Sequence, residues 1–145
     1  MEGVWTGGHE ENLRMRAINI NHGPKGSYWY TMSPDEVPRF RTLVQQVYGV
    51  DIHKSEGLWF ADLDFILRNK LYIEYFIQHK GDIVDKSCVI NISNSFPKVL
   101  LGPGCLHWVR AKGLAVNSAW NFGTACRYQV NICSSNQTHD LESLV

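Results

Sequence analysis

The sequence carries no charge excess: 14 Lys and Arg residues are matched by 14 Asp and Glu, for a formal net charge of zero. Without a basic surplus there is no bulk electrostatic grip on nucleic acid or an anionic membrane, so no direct sequence-specific DNA binding is expected. Long hydrophobic runs are also missing. The longest is Leu58-Trp59-Phe60-Ala61, far below the roughly 18 residues that span a bilayer, and no basic stretch followed by an apolar one opens the chain. No membrane association is expected, and the chain reads as soluble and unsecreted. Cysteine is scarce: Cys88, Cys105, Cys126 and Cys133 contain no Cys-x-x-Cys pair. That argues against a disulfide scaffold or a structural zinc site, and for free thiols in a reducing compartment.

What is present fits one domain. The 145 residues are 44% hydrophobic and 12% aromatic, enough for a core of ordinary size. Ala17-Ile18-Asn19-Ile20-Asn21 alternates with period two and meets the breaker cluster His22-Gly23-Pro24-Lys25-Gly26, which predicts a strand and a tight turn. The aromatic run Tyr28-Trp29-Tyr30-Thr31 predicts a second strand, paired with the first like a hairpin. Ser33-Pro34-Asp35-Glu36 has the features of a helix start, with a later start near Pro38 as the alternative. Phe40, Leu43, Val44, Val47 and Tyr48 form one helical stripe ended by Gly49. A short helix is expected within residues 58–69 and a strand over 71–77. Further strands are expected at 89–92, 99–101, 106–109, 116–122 and 128–132. Many short strands around one inserted helical region predict a mainly β, antiparallel sandwich or jelly roll.

Of six histidines, one opens a His-x-acid triplet, His9-Glu10-Glu11. Residues i and i+2 of an extended segment project to the same face, so His9 and Glu11 offer an imidazole and a carboxylate to one point. Two His and one carboxylate on one face of an octahedral Fe(II) leave positions open for a cosubstrate and dioxygen. His22 falls in the expected turn, His53 and His79 in expected loops, and His139 in a polar stretch. His107 differs: it follows a Gly-Pro-Gly turn and lies between Leu106 and Trp108-Val109, so alternation sets its ring opposite the apolar bulk of Leu106 and Trp108. By residue type alone, a solvated His9 and a core His107 explain these positions as well as a metal does.

Four stretches, in order, carry a more specific resemblance. They are Gly8-His9-Glu10-Glu11-Asn12; residues 18–24 with Trp29 after them; Phe76-Ile77-Gln78-His79-Lys80-Gly81-Asp82-Ile83-Val84; and residues 107–113 followed by Asn117-Ser118-Ala119-Trp120-Asn121-Phe122-Gly123. This arrangement resembles the JmjC oxygenases, and within them the UTX-like lysine demethylase 6 family, whose members demethylate lysine 27 of histone H3. The resemblance implies a cupin-like double-stranded β-helix over residues 1–128, with helices inserted at about 33–69 and a tail over 129–145. It implies Fe(II) held by His9, Glu11 and His107, and 2-oxoglutarate as cosubstrate near Thr6, Asn19 and Asn117. It further implies oxidative removal of N-methyl groups as formaldehyde, a histone H3 tail as substrate, a histone methyltransferase of the MLL type or another chromatin complex as partner, and a nuclear location.

The chain departs from the family in four places. The family's 2-oxoglutarate-binding lysine lies on a strand upstream of Thr6, and no lysine precedes His9 here, so the first core strand is expected to be missing. Ala17 stands where the family has a serine. Extra residues at about 85–98 read as an insertion between the Gly-Asp-Ile-Val strand and that of His107, and the family's C-terminal zinc module has no counterpart. Two alternatives follow: a catalytically impaired JmjC fragment acting as a binding module, and a protein hydroxylase of the same fold.

Overall fold

The computed structural model describes residues 3–55, 59, 62–85, 98–100 and 104–123. Their elements are β1 (Trp5–His9), β2 (Arg16–Pro24), β3 (Ser27–Met32), α1 (Val37–Tyr48), α2 (Leu63–Arg68), β4 (Glu74–Gln78), β5 (Ile83–Asp85), β6 (Lys98–Leu100), β7 (Leu106–Ala111) and β8 (Ala115–Phe122), with 3-10 turns at Asn12–Arg14 and Ile52–Ser55. The strands form two sheets, ordered β1-β7-β3-β4 and β6-β5-β2-β8. The fold is mainly β and jelly-roll-like, as expected, with the parallel pair β5–β6 departing from an otherwise antiparallel pattern. Among the described residues no helix is long and apolar enough to cross a membrane. The strands expected at 89–92 and 128–132, most of the 85–98 insertion and the 129–145 tail lie outside the described residues.

The expected hairpin between the first two strands does not form. β2 pairs with β5 and β8, while β3 pairs with β4 and β7, so the chain changes sheet at Lys25-Gly26. Nor does the strand stop at Asn21: it runs on through His22 and Gly23 to Pro24. β5 pairs only with residues 18–20 of β2, so Pro24, opposite Ala115 of β8, lies on a stretch with one neighbour and deprives no ladder of an N–H. His22 consequently sits on β2 instead of in a turn. Gly26, at the sheet change, is required by close approach: a Cβ there would lie 2.7 Å from the Gln78 carbonyl oxygen. Gly26→Ala is expected to cost about 1–3 kcal/mol, read as an earlier midpoint in urea denaturation.

The helix takes the later of the two starts considered. Residues 34–36 form a turn, and α1 begins at Val37 with Pro38 in its first turn and Gly49 closing it at φ 68°. Val37, Phe40 and Val44 are buried, whereas Val47 and Tyr48 at the end of the stripe stay exposed. Tyr48 still makes ring contacts to Trp59 and Phe65. α2 starts at Leu63, with the Asp62 carboxylate accepting from Asp64 N as its cap.

Strand alternation divides the sheet β1-β7-β3-β4 into two unlike faces. Met32, Leu106 and Trp108 point outward and join Val37, Phe40, Val44, Phe65 and Ile66 in the main hydrophobic core beneath the helices. The inward residues, Trp29 with Phe76 and Val109, meet Val84 of the second sheet in a much smaller apolar cluster. Otherwise the space between the sheets is lined by buried polar groups: Asn21, Ser27, Thr31, Gln78 and His107. Burying polar groups is unfavourable unless they are hydrogen-bonded or used. The main apolar core therefore lies outside the sandwich, and polar side chains line the interior.

Candidate metal centre

His9 reaches that interior through a bulge. Thr6 faces Val109 and His9 faces His107, so three steps along β1 match two along β7. The extra residue reverses the parity and turns His9 to the same face as His107. Gly7 and Gly8, both buried, occupy the bulge, and Gly8 N donates to Trp59 O at 2.8 Å. β1 ends at His9, so Glu11 is not on a strand as the triplet suggested. It caps the following 3-10 turn with extended dihedrals, φ −63° and ψ 145°, which preserves the i, i+2 relation.

The hydrogen bonds of the two imidazoles select the same tautomer. His9 Nδ1 lies 2.9 Å from Gly7 O, and His107 Nδ1 lies 3.4 Å from Cys105 O. A carbonyl only accepts, so each Nδ1 carries the hydrogen in these contacts, which leaves Nε2 as the ring atom that can serve a metal. His107 is buried and stacks on Trp29, with ring centroids 5.6 Å apart at 18°. Its Nε2 is 3.6 Å from Glu11 Oε1, and the His9 and His107 ring centroids are 4.2 Å apart. One donor atom from each of His9, Glu11 and His107 falls within 4.8 Å of the others. A first-row divalent ion holds such donors at about 2.1 Å, which sets neighbouring donors about 3 Å apart. Two imidazoles and a carboxylate at these separations fit such an ion after a small contraction.

The remaining sequence candidates are placed but not joined to this cluster. Thr6 is exposed, and its register with Val109 puts it on the inner face of the same sheet. Asn19, opposite Val84 and Ala119, and Asn117, opposite Asn21, share the facing side of the second sheet. Asn117 is exposed. None of the three hydrogen-bonds to His9, Glu11 or His107 among the described residues. His22 is exposed and pairs through Nε2 with Ser118 Oγ at 2.9 Å.

Two features had no local signal. Gln78, fully buried, ties the sheets together: its Oε1 accepts from Trp29 Nε1 at 2.9 Å, and its Nε2 donates to Asn19 Oδ1 at 3.1 Å and to Asn19 O and Asp82 O at 3.2 Å. Gln78→Leu removes the bonds to Trp29 Nε1 and Asn19 Oδ1, while Asp82 O keeps its bond from Asn21 N. A loss of about 2–4 kcal/mol is expected from one or two buried unsatisfied groups, measured by chemical denaturation. The second feature is Glu10, between the two candidate ligands, which is bound by Arg14 and Arg41.

A jelly roll with a polar interior and a His-Glu-His cluster on its inner face has the geometry of a non-haem metal oxygenase. Sequence comparison agrees with that class. No family model matches the chain. Across 99% of its length it is 27% identical to "Lysine-specific demethylase 6B" of Homo sapiens and 23% identical to "Lysine-specific demethylase jmjd-3.1" of Caenorhabditis elegans. It spans 8% and 12% of the length of these two relatives. The similarity supports a JmjC-type lysine demethylase family.

Proposed function

We propose that the chain forms the JmjC core of an Fe(II)- and 2-oxoglutarate-dependent histone lysine demethylase of the UTX-like lysine demethylase 6 type. Its substrate is di- or trimethylated lysine 27 of histone H3, met in the nucleus. One observation carries the reading: His107, nearly a hundred residues from His9 and Glu11, joins them so that one donor atom of each lies within 4.8 Å of the others. When bound, iron and 2-oxoglutarate supply the oxidising chemistry that turns an N-methyl group into formaldehyde. The chain's residues supply geometry. His9, Glu11 and His107 hold the metal on one side and leave the other open. Thr6, Asn19 and Asn117 bind the keto acid. Because Asn19 Oδ1 accepts from Gln78, its Nδ2 is the group that donates to a carboxylate.

The test pairs anaerobic Fe(II) titration with mass spectrometry of a trimethylated H3 tail peptide. Successive methyl losses matched by succinate are expected. Absence of iron binding sinks the proposal. Gain of one oxygen without methyl loss assigns a protein hydroxylase instead, and iron binding without 2-oxoglutarate affinity assigns a non-catalytic binding module.

A further inference from the structure

Alternation that sends His9 and Glu11 toward the interior sends Glu10 the opposite way. There its carboxylate, with a side chain only 8% exposed, meets two guanidiniums. Arg14 Nε lies 3.1 Å from Oε2, and Arg41 Nη2 hydrogen-bonds to Oε1. Arg14 belongs to the 3-10 turn just after Glu11 and adopts φ 48°, a left-handed conformation disfavoured for a side chain of this size. Arg41 comes from α1, 31 residues away, and is half-buried; burial lowers its pKa, which Glu10 partly offsets. Its Nε is buried without a hydrogen-bond partner among the described residues. Arg41 therefore depends heavily on Glu10 for charge compensation.

We infer that Glu10, Arg14 and Arg41 form a clamp that fixes the His9–Glu11 segment against α1 and so sets the spacing of the metal donors. These are positioning residues. The inference rests on the metal reading of His9, Glu11 and His107, and it predicts that metal affinity depends on a helix that contributes no ligand.

Two cations beside a divalent site separate positioning from simple electrostatics. Removing either arginine relieves repulsion of the metal, so a through-space effect alone tightens binding. Loss of a clamp weakens it. Co(II), titrated by calorimetry into the full chain, is the probe. Glu10→Gln, Arg41→Gln and Arg14→Gln are each expected to weaken affinity, with the first two losing roughly 10-fold or more, the scale of lost supporting contacts around metal ligands. The double variant Glu10→Gln/Arg41→Gln is expected to lose no more than the worse single variant. Val44→Ala, which loosens the same helix through the apolar core without touching the clamp, is expected to keep wild-type affinity. The arginine variants keep the test open if Glu10→Gln fails to fold. Unchanged or tighter Co(II) binding on loss of Arg41, or equal weakening by Val44→Ala, overturns the clamp while leaving the site standing. Absence of Co(II) binding by the wild-type chain, or binding unaffected by His107→Ala, overturns the site reading and the clamp together.

Discussion

Replacing His107 with alanine is expected to lower Fe(II) affinity at least about 100-fold while the chain remains folded. Altering a contact that merely supports a ligand already costs 10–100-fold in roughly this range of sites, so deleting a donor sets a higher floor. Retention of the fold follows from where the ring lies. His107 is on the inner face of β7 against Trp29, outside the core formed by Leu106, Trp108 and the helices. The small cavity left beside Trp29 costs about 1–3 kcal/mol. Anaerobic calorimetry reads the affinity and thermal denaturation reads the fold. Loss of cooperative unfolding together with loss of binding would contradict this separation.

Trp108→Ala is expected to have the opposite profile and the largest effect on stability. Trp108 is fully buried and stacks on Tyr30, with centroids 5.8 Å apart at 8°, in the cluster that joins the sheet to α1 and α2. Truncating a tryptophan in such a position costs about 3–5 kcal/mol, a fall in Tm of roughly 10 °C for a domain of this size. Trp108→Phe is expected to cost less than about 1.5 kcal/mol. The indole Nε1 is buried with no hydrogen-bond partner among the described residues, so losing that polar group offsets part of the lost volume. A Phe variant as damaged as the Ala variant would show that the ring's hydrogen bonding, not its bulk, matters here.

Features encoded locally were legible from the chain. The parity of Leu106, His107 and Trp108, the 40–44 part of the helical stripe with its glycine stop, and the jelly-roll class all follow from period and turn chemistry. Sheet pairing was not. The breaker cluster from His22 looks like the end of the strand because proline removes a donor, yet β2 runs on to Pro24, where β8 is the one strand neighbour among the described residues. The triplet His9-Glu10-Glu11 disclosed two inward side chains but not the bulge that directs the first of them, since a register shift depends on the partner strand. Gln78 and Glu10 were invisible as functional candidates for the same reason. The Trp29 and Asn19 partners of Gln78 lie 49 and 59 residues away, and the Arg41 partner of Glu10 lies 31 away.

β7 places the groups that keep the molecule folded and the group that faces the candidate metal site on alternate residues of one strand. Mutational histories of the two sets should therefore diverge. Under the proposed function, lineages released from turnover can shed His107, then Glu11, and still fold, because the outward residues answer only to the helices. A non-catalytic form of that proposed enzyme is thus one inner-face substitution away. A descendant that retains Leu106 and Trp108 but has lost His107 should be treated as a folded protein in search of another use, and not as a decaying gene.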